Sequence, residues 1–259
     1  MRKLYSLLML AMLVPMTSAC QDKAHSVISI QVLDSSFMEA TIEQVNRLLK
    51  AKQEFVIELY TDYCGHCEDL EPLLSDYVKE TGHLLYRLNV SDYTYEMFNE
   101  YEEKYPQIFA DRFVPSIRYI KDNKLTYEVD ADNFDNYSRL KKIMNRHFID
   151  SNITLINSYQ EFQTYQNTNK NFLTMVYDID DEKSLEVSSQ YIINKDIANS
   201  KKSVILLNKP KFAYDFAQIQ SYFQIDYSSF CSLVKDNEII KTIDYSSDGS
   251  EISDLISNL

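Results

Sequence analysis

Glycine is nearly missing from this chain, with three residues among 259. Its turns must therefore be built from Asn, Asp and Ser, whose short polar side chains tolerate unusual backbone angles. Basic residues are in deficit, 26 Lys and Arg against 39 Asp and Glu, for a net charge of −13. A surplus of that sign argues against nucleic acid as a partner and against electrostatic docking to anionic lipid. Cysteine is scarce, at four residues, too few for a disulfide framework. Beyond the N-terminal segment no apolar run is long enough for a transmembrane helix. What is present, 45% hydrophobic and 25% charged residues, is the composition of a globular protein, and the length suits two ordinary domains.

The N-terminus reads as a targeting segment. Arg2 and Lys3 precede an apolar run from Leu4 to Val14, too short to span a bilayer permanently. Met16-Thr17-Ser18-Ala19-Cys20 resembles a bacterial lipobox, with Thr17 where Leu is usual. The resemblance implies a signal peptide over 1–19 and lipidation of Cys20, with attachment to a membrane through that anchor only. The alternative is ordinary cleavage after Ala19, which leaves Cys20 as a spare thiol. Loss of Arg2 and Lys3 with the signal takes the charge from −13 to −15.

Along the rest of the chain, hydrophobic spacing predicts alternating strands and helices. Val27–Leu33 reads as a strand and residues 37–49 as an amphipathic helix. Glu54–Tyr60 is an apolar run interrupted by Glu58, as in a central strand covered on both faces. A helix over 65–81 carries Pro72 and ends at Gly82; strand Leu84–Val90 and a Tyr-rich helix over 93–104 follow. Pro115–Ile120 and Lys124–Val129 form a hairpin turned on Asp122-Asn123, and Phe134–Phe148 closes the unit as a helix. The second half repeats this order, with strands at 152–156, 172–177 and 203–207, helices at 159–166, 185–193 and 212–223, and a hairpin turned on Asp236-Asn237. The same tripeptide, Lys-Asp-Asn, stands at both hairpin turns. The domain boundary falls near Asp150-Ser151, giving units over 20–150 and 151–259.

The chemistry lies in Cys64-Gly65-His66-Cys67. The pair follows a buried-type strand and opens a helix, where unpaired backbone N–H groups and the helix dipole favour a thiolate. Cys64 is then the exposed nucleophile and Cys67, one turn inward, the thiol that attacks a mixed disulfide and releases product. Gly65 allows tight backbone geometry, and His66 adds a donor or positive charge. A structural disulfide and a zinc site are the competing readings. Zinc lacks support because there is no second CxxC and His25, His83 and His147 are scattered, as surface residues would be. No metal and no cofactor are expected.

Residues 54–72, EFVIELYTDYCGHCEDLEP, resemble the active-site stretch of the thioredoxin superfamily, particularly the catalytic domains of protein disulfide isomerases. The resemblance implies an α/β fold of two tandem thioredoxin-like domains, each a mixed sheet flanked by helices, the second without an active site. It makes Glu58 the buried acid that assists proton transfer for Cys67, Pro72 the helix-kinking proline, and Val114-Pro115 the cis-proline bond, with the Val114 backbone pairing with substrate. Tyr63 replaces the family's usual Trp as an aromatic wall. Glu68 replaces a usual Lys, and with Asp62, Asp69 and Glu71 makes an acidic rim; exposed carboxylates are mostly screened, whereas the helix terminus acts at contact distance. The second half has no CxxC, and Ser228-Ser229 falls where the cis-proline would sit. Cys231 reads as an inert core residue, and Tyr214, Phe216, Tyr222, Phe223 and Tyr227 as core aromatics or the lining of a groove.

The function implied is an extracytoplasmic thiol–disulfide oxidoreductase, oxidase- or isomerase-like, whose partners are cysteine-containing exported proteins or a redox partner protein. The alternative is a membrane-anchored substrate-binding or chaperone module on the same scaffold with little redox turnover.

Overall fold

Two apolar runs, Phe55–Tyr60 and Phe172–Tyr177, become the central strands of two sheets. The structure, a computed structural model, describes residues 26–34, 37–110, 113–129, 131–193, 202–246 and 249–257; the signal segment and Cys20 lie outside the described residues. In chain order the elements are β1 (Val27–Val32), β2 (Met38–Glu39), α1 (Ile42–Lys50), β3 (Phe55–Tyr60), α2 (Gly65–Thr81), β4 (Tyr86–Asn89), α3 (Tyr95–Lys104), α4 (Pro106–Phe109), β5 (Ser116–Lys121), β6 (Lys124–Glu128) and α5 (Tyr137–Asn145). Then come β7 (Phe148–Ile156), α6 (Tyr159–Thr168), β8 (Phe172–Tyr177), α7 (Glu182–Ile193), β9 (Val204–Asn208), α8 (Lys209–Phe212), α9 (Phe216–Phe223), β10 (Phe230–Lys235), β11 (Glu238–Asp244) and α10 (Gly249–Ser257).

The first sheet has the order β2-β4-β3-β5-β6 and the second β1-β7-β9-β8-β10-β11. With β1 set aside, the two orders are the same. In each, three strands run parallel, and a C-terminal hairpin follows whose first strand pairs antiparallel with the central one. The fold is therefore α/β with two tandem thioredoxin-like units. Both hairpins turn on two residues with positive φ, Asp122 (49°) and Asn123 (59°), Asp236 (51°) and Asn237 (65°). These are the residues that must stand in where glycine is lacking.

Four expectations about elements and boundaries are corrected. Strand 27–33 does not belong to the first sheet: β1 pairs in parallel with β7, Val27 opposite Phe148 and Val32 opposite Leu155. Its other edge meets the turn before β4, where the Leu84 amide donates to Ile30 (2.9 Å) and the Val32 amide to Gly82 (2.6 Å). An apolar strand has two backbone edges to satisfy, and the two-residue β2 offers too little length to serve one of them. Asp150 and Ser151 consequently lie within β7, and the closing helix ends at Asn145, so the division between units comes before Phe148. Helix α1 begins at Ile42, because Thr41 and Gln44 form a reciprocal capping box there. The helix expected over 212–223 breaks at Ala213, whose φ is 44°.

The units are joined by polar contacts as well as by β1. Arg47 of α1 donates to the Ile179 carbonyl and to Asp180, each at 2.6 Å. Deeper in, Tyr86 of β4 bonds hydroxyl to hydroxyl with Tyr177 of β8. Gln53 donates to Tyr86 (3.1 Å) and accepts from Ser189 (3.3 Å). All four residues are buried, so each polar atom depends on its partners here. His83 and His147 are buried too, against the surface placement expected. His83 bonds to the Tyr77 hydroxyl (2.7 Å) and stacks on Phe148, while His147 stacks on Tyr127. Burial lowers the pKa of His83 to about 4.

Tyr86→Phe removes the shared hydroxyl and leaves Tyr177 and Gln53 each short of a sealed partner. The expected cost is about 1–3 kcal/mol, measured as the change in unfolding free energy of the full chain in urea.

Candidate active site

Strand β3 ends at Tyr60 and the chain turns through Thr61-Asp62-Tyr63 into α2, with Cys64 as the N-cap residue. The cap hydrogen bond is made by sulfur: Cys64 Sγ accepts from the Cys67 amide at 3.3 Å. An ordinary helix would use a Ser, Asp or Asn oxygen in that place. A negative charge on Cys64 Sγ therefore sits at the positive end of the helix and on an N–H already aimed at it. Cys64 is partly exposed and Cys67 is buried, both as free thiols, so one sulfur faces solvent and the other faces the core. Pro72 lies inside the helix as expected. The tight backbone geometry expected to need Gly65 does not call for glycine: its φ is not positive, and a Cβ built on it would meet no atom within 4 Å.

The Val114–Pro115 peptide bond is cis, and Cys64 Sγ lies 3.6 Å from the Val114 carbonyl oxygen, to which the thiol donates. Pro115 leads into β5 and is buried. Segments fifty residues apart in sequence thus meet at the Cys64 sulfur. Tyr63 is 89% exposed, a free aromatic face beside Cys64 that packs under nothing. His66 is exposed and lines a groove with Val114 and Pro115. Among the described residues it makes no hydrogen bond to either cysteine.

Beneath the pair lies Glu58, fully buried in the middle of β3. Its Oε2 accepts from Arg87 Nε at 2.7 Å, and among the described residues its Oε1 has no hydrogen-bond partner. Burial raises the Glu58 pKa to about 7, and Arg87 only partly offsets that rise. Cys67 is pushed up to about 12, first by burial, then by its hydrogen bond with Cys64, with Glu58's negative charge contributing. Cys67 thus needs a base at neutral pH, and Glu58 is a carboxyl group poised to change protonation there.

Arg87 was not foreseen as a site residue. It stands opposite Glu58 in the β3–β4 register, with Tyr60 (4.0 Å) and Phe37 (4.7 Å) against its guanidinium plane. Glu39 and Glu71 each lie 3.6 Å from its Nη1. The available signal was a lone arginine inside the apolar run Leu84–Val90, matching the lone acid inside Phe55–Tyr60.

The second unit repeats the frame with the chemistry removed. Asp181 stands where Cys64 does: it precedes its helix by one residue, and its Oδ1 accepts from the Ser184 amide at 2.8 Å. Ser184 therefore replaces Cys67. Met175 and Leu206 face each other where Glu58 and Arg87 do. Cys231 pairs with Met175 as Ile117 pairs with Glu58; it is buried, and burial pushes its thiol up, as an inert core cysteine requires. Of the aromatics considered for a groove there, Phe216 and Phe223 are core, whereas Tyr214 is 97% exposed. Among the described residues no group of three or more His, Cys, Asp or Glu is placed to hold a metal ion.

Residues 36–145 match the thioredoxin family model. This part of the chain is a thioredoxin domain. No curated protein sequence matches significantly. Among solved structures, mitochondrial thioredoxin 3 of Saccharomyces cerevisiae is 17% identical over 43% of this chain and 95% of its own, with a TM-score of 0.32. The J-Trx1 fragment of ERdj5 is 15% identical over 43% of this chain and 51% of its own, at 0.34. ERdj5 form II is matched over 86% of this chain at 12% identity and 0.34, and this chain spans 29% of its length. The fold assignment rests on the matched segment and the strand order. A thioredoxin domain with both thiols in place is of the thiol–disulfide oxidoreductase kind.

Two measurements check this site. Alkylation followed by mass spectrometry should label Cys64 first, Cys67 more slowly, and Cys231 only on unfolding. A preformed mixed disulfide at Cys64 should be resolved by Cys67 at a rate that climbs as Glu58 loses its proton, through pH about 7. Glu58→Gln should keep only the hydroxide-driven rise and be about 100-fold slower just above neutrality.

Proposed function

We propose that this protein is an extracytoplasmic thiol–disulfide oxidoreductase that works through Cys64 and Cys67. The observation that carries the reading is the layered arrangement of an exposed cap thiol, a sealed second thiol and a buried carboxyl group of near-neutral pKa. The Cys64 thiolate attacks one sulfur of a substrate disulfide, forming a Cys64–substrate disulfide and releasing the other substrate sulfur as a thiolate. Cys67 gives its proton to the Glu58 carboxylate and attacks Cys64 Sγ. The Cys64–Cys67 disulfide forms, the second substrate thiolate leaves, and two electrons have passed from protein to substrate. The reverse sequence oxidises a substrate dithiol, and an isomerase-like cycle stops at the mixed disulfide.

A scaffold kept for binding alone has no use for the Glu58–Arg87 pair. Burying an ion pair costs several kcal/mol per ion before any attraction is counted, and the second unit folds with Met175 and Leu206 in its place. The basic and apolar N-terminal segment and Cys20 support a place outside the cytoplasm, tethered by lipid, with cysteine-containing exported proteins or a redox protein as partners. Among the described residues no helix is long and apolar enough to cross a membrane.

Insulin reduction by the wild type should be lost in Cys64→Ala, and Cys67→Ser should accumulate a covalent Cys64–substrate adduct visible on non-reducing gels. Equal rates for wild type and Cys64→Ala would instead identify a binding module.

A further inference from the structure

The surface that a substrate must cross to reach Cys64 is both apolar and acidic. A groove of about 640 Å³ runs from His66 past Val114 and Pro115 to Phe134. Phe113, on its wall, is 77% exposed, and Tyr63, which precedes Cys64 in the chain, is 89% exposed. Aromatic faces left in water beside a nucleophile are contact surface for a chain laid against it. The carboxylates Asp69, Asp132 and Asp135 line the same groove, all exposed. Asp62 and Glu68, also exposed, add two more charges beside the cysteines. Among the described residues that line the groove, the permanent opposing cation is Arg139, whose guanidinium donates to the Asp132 carbonyl oxygen at 3.2 Å. Asp62 accepts from the neutral Asn89 amide (2.9 Å), so that bond leaves its charge uncompensated. Field and shape therefore ask for the same occupant.

We infer that the groove beside Cys64 selects cysteines carried on extended segments with lysine or arginine close to the cysteine and an apolar side chain for Phe113 and Tyr63. This rests on the oxidoreductase reading and names the substrate class of the same site. Each carboxylate acts through water and is weak alone, but several of one sign around a cleft raise the encounter rate of an oppositely charged partner. The whole chain's charge of −13 acts in the same direction. The chemistry is unchanged: one peptide disulfide and the Cys64/Cys67 dithiol give two peptide thiols and the Cys64–Cys67 disulfide. The preference enters at the encounter and in holding the mixed disulfide.

The test uses the pre-reduced full chain and three disulfide-linked peptide dimers, identical except that the residues flanking cysteine are Lys, Gln or Glu. Single-turnover formation of peptide thiol is read after acid quench. At ionic strength of about 20 mM the Lys peptide should react about 10-fold faster than the Glu peptide, with Gln between them. The ratio should fall to within about 2-fold at roughly 0.5 M salt, where the screening length is a few ångströms. The double variant Asp69→Asn/Asp135→Asn should shrink the low-salt ratio by several-fold; because the ratio is internal to one protein sample, partial misfolding does not alter it. Equal rates for the three peptides at low salt, a faster Glu peptide, or a ratio untouched by the double variant would overturn the preference while leaving the oxidoreductase reading intact. Absence of turnover with all three would overturn that reading, and the preference with it.

Discussion

A carboxylate and a guanidinium held 2.7 Å apart inside an apolar sheet set the terms for the rest of the site. Glu58 and Arg87 face each other because β3 and β4 run parallel in a register that puts them opposite. The cost of burying them is offset by the Tyr60 and Phe37 rings against the guanidinium and by Glu39 and Glu71 near its outer nitrogen. Burial holds the Glu58 pKa at about 7; Arg87 lowers it only in part, and the nearby charges of Glu39 and Glu71 add to the rise. A proton acceptor that titrates near neutrality is what a thiol pushed to about 12 requires.

Comparison of the two units shows which parts of the frame are structural and which are chemical. Both place a polar N-cap at the same point after the central strand and bond it to the amide three residues on. That feature belongs to the fold, since any helix start leaves amides to be satisfied. The first unit uses it to hold a sulfur, the second a carboxylate. The first buries a charged pair under the helix, the second buries Met175 and Leu206. The second unit's helix start also faces α1, where Arg47 bonds to Ile179 and Asp180. The surface that is an open site in one unit is a docking surface in the other, and β1 ties the two by pairing with β7 while bonding to the turn before β4.

Much of this was legible in the amino-acid sequence. The strands 55–60, 172–177 and 230–235 read correctly because continuous apolar runs between turn residues leave little choice. The two hairpins were marked by Asp-Asn, and the reactive pair by its place between such a run and an amphipathic helix. Less visible were features that depend on partners distant in sequence. Strand β1 has the pattern of any buried strand, and nothing in Val27–Val32 says which sheet it joins. Arg87 is an ordinary basic residue until the register brings it to Glu58. His83 and His147 gave no sign of burial, because a histidine is accommodated inside a protein only by partners, here Tyr77 and Tyr127, that local sequence does not reveal.

By itself the sequence determined the order of elements, the position of the two thiols at a helix start and the presence of one acid in the strand beneath them, since each follows from local spacing and backbone geometry. Tertiary structure alone decided that Val114 meets Cys64, that Arg87 holds Glu58, and that the first strand serves the second sheet. Those are contacts between segments far apart along the chain, and their energies come from burial and pairing that exist only once both partners are in place.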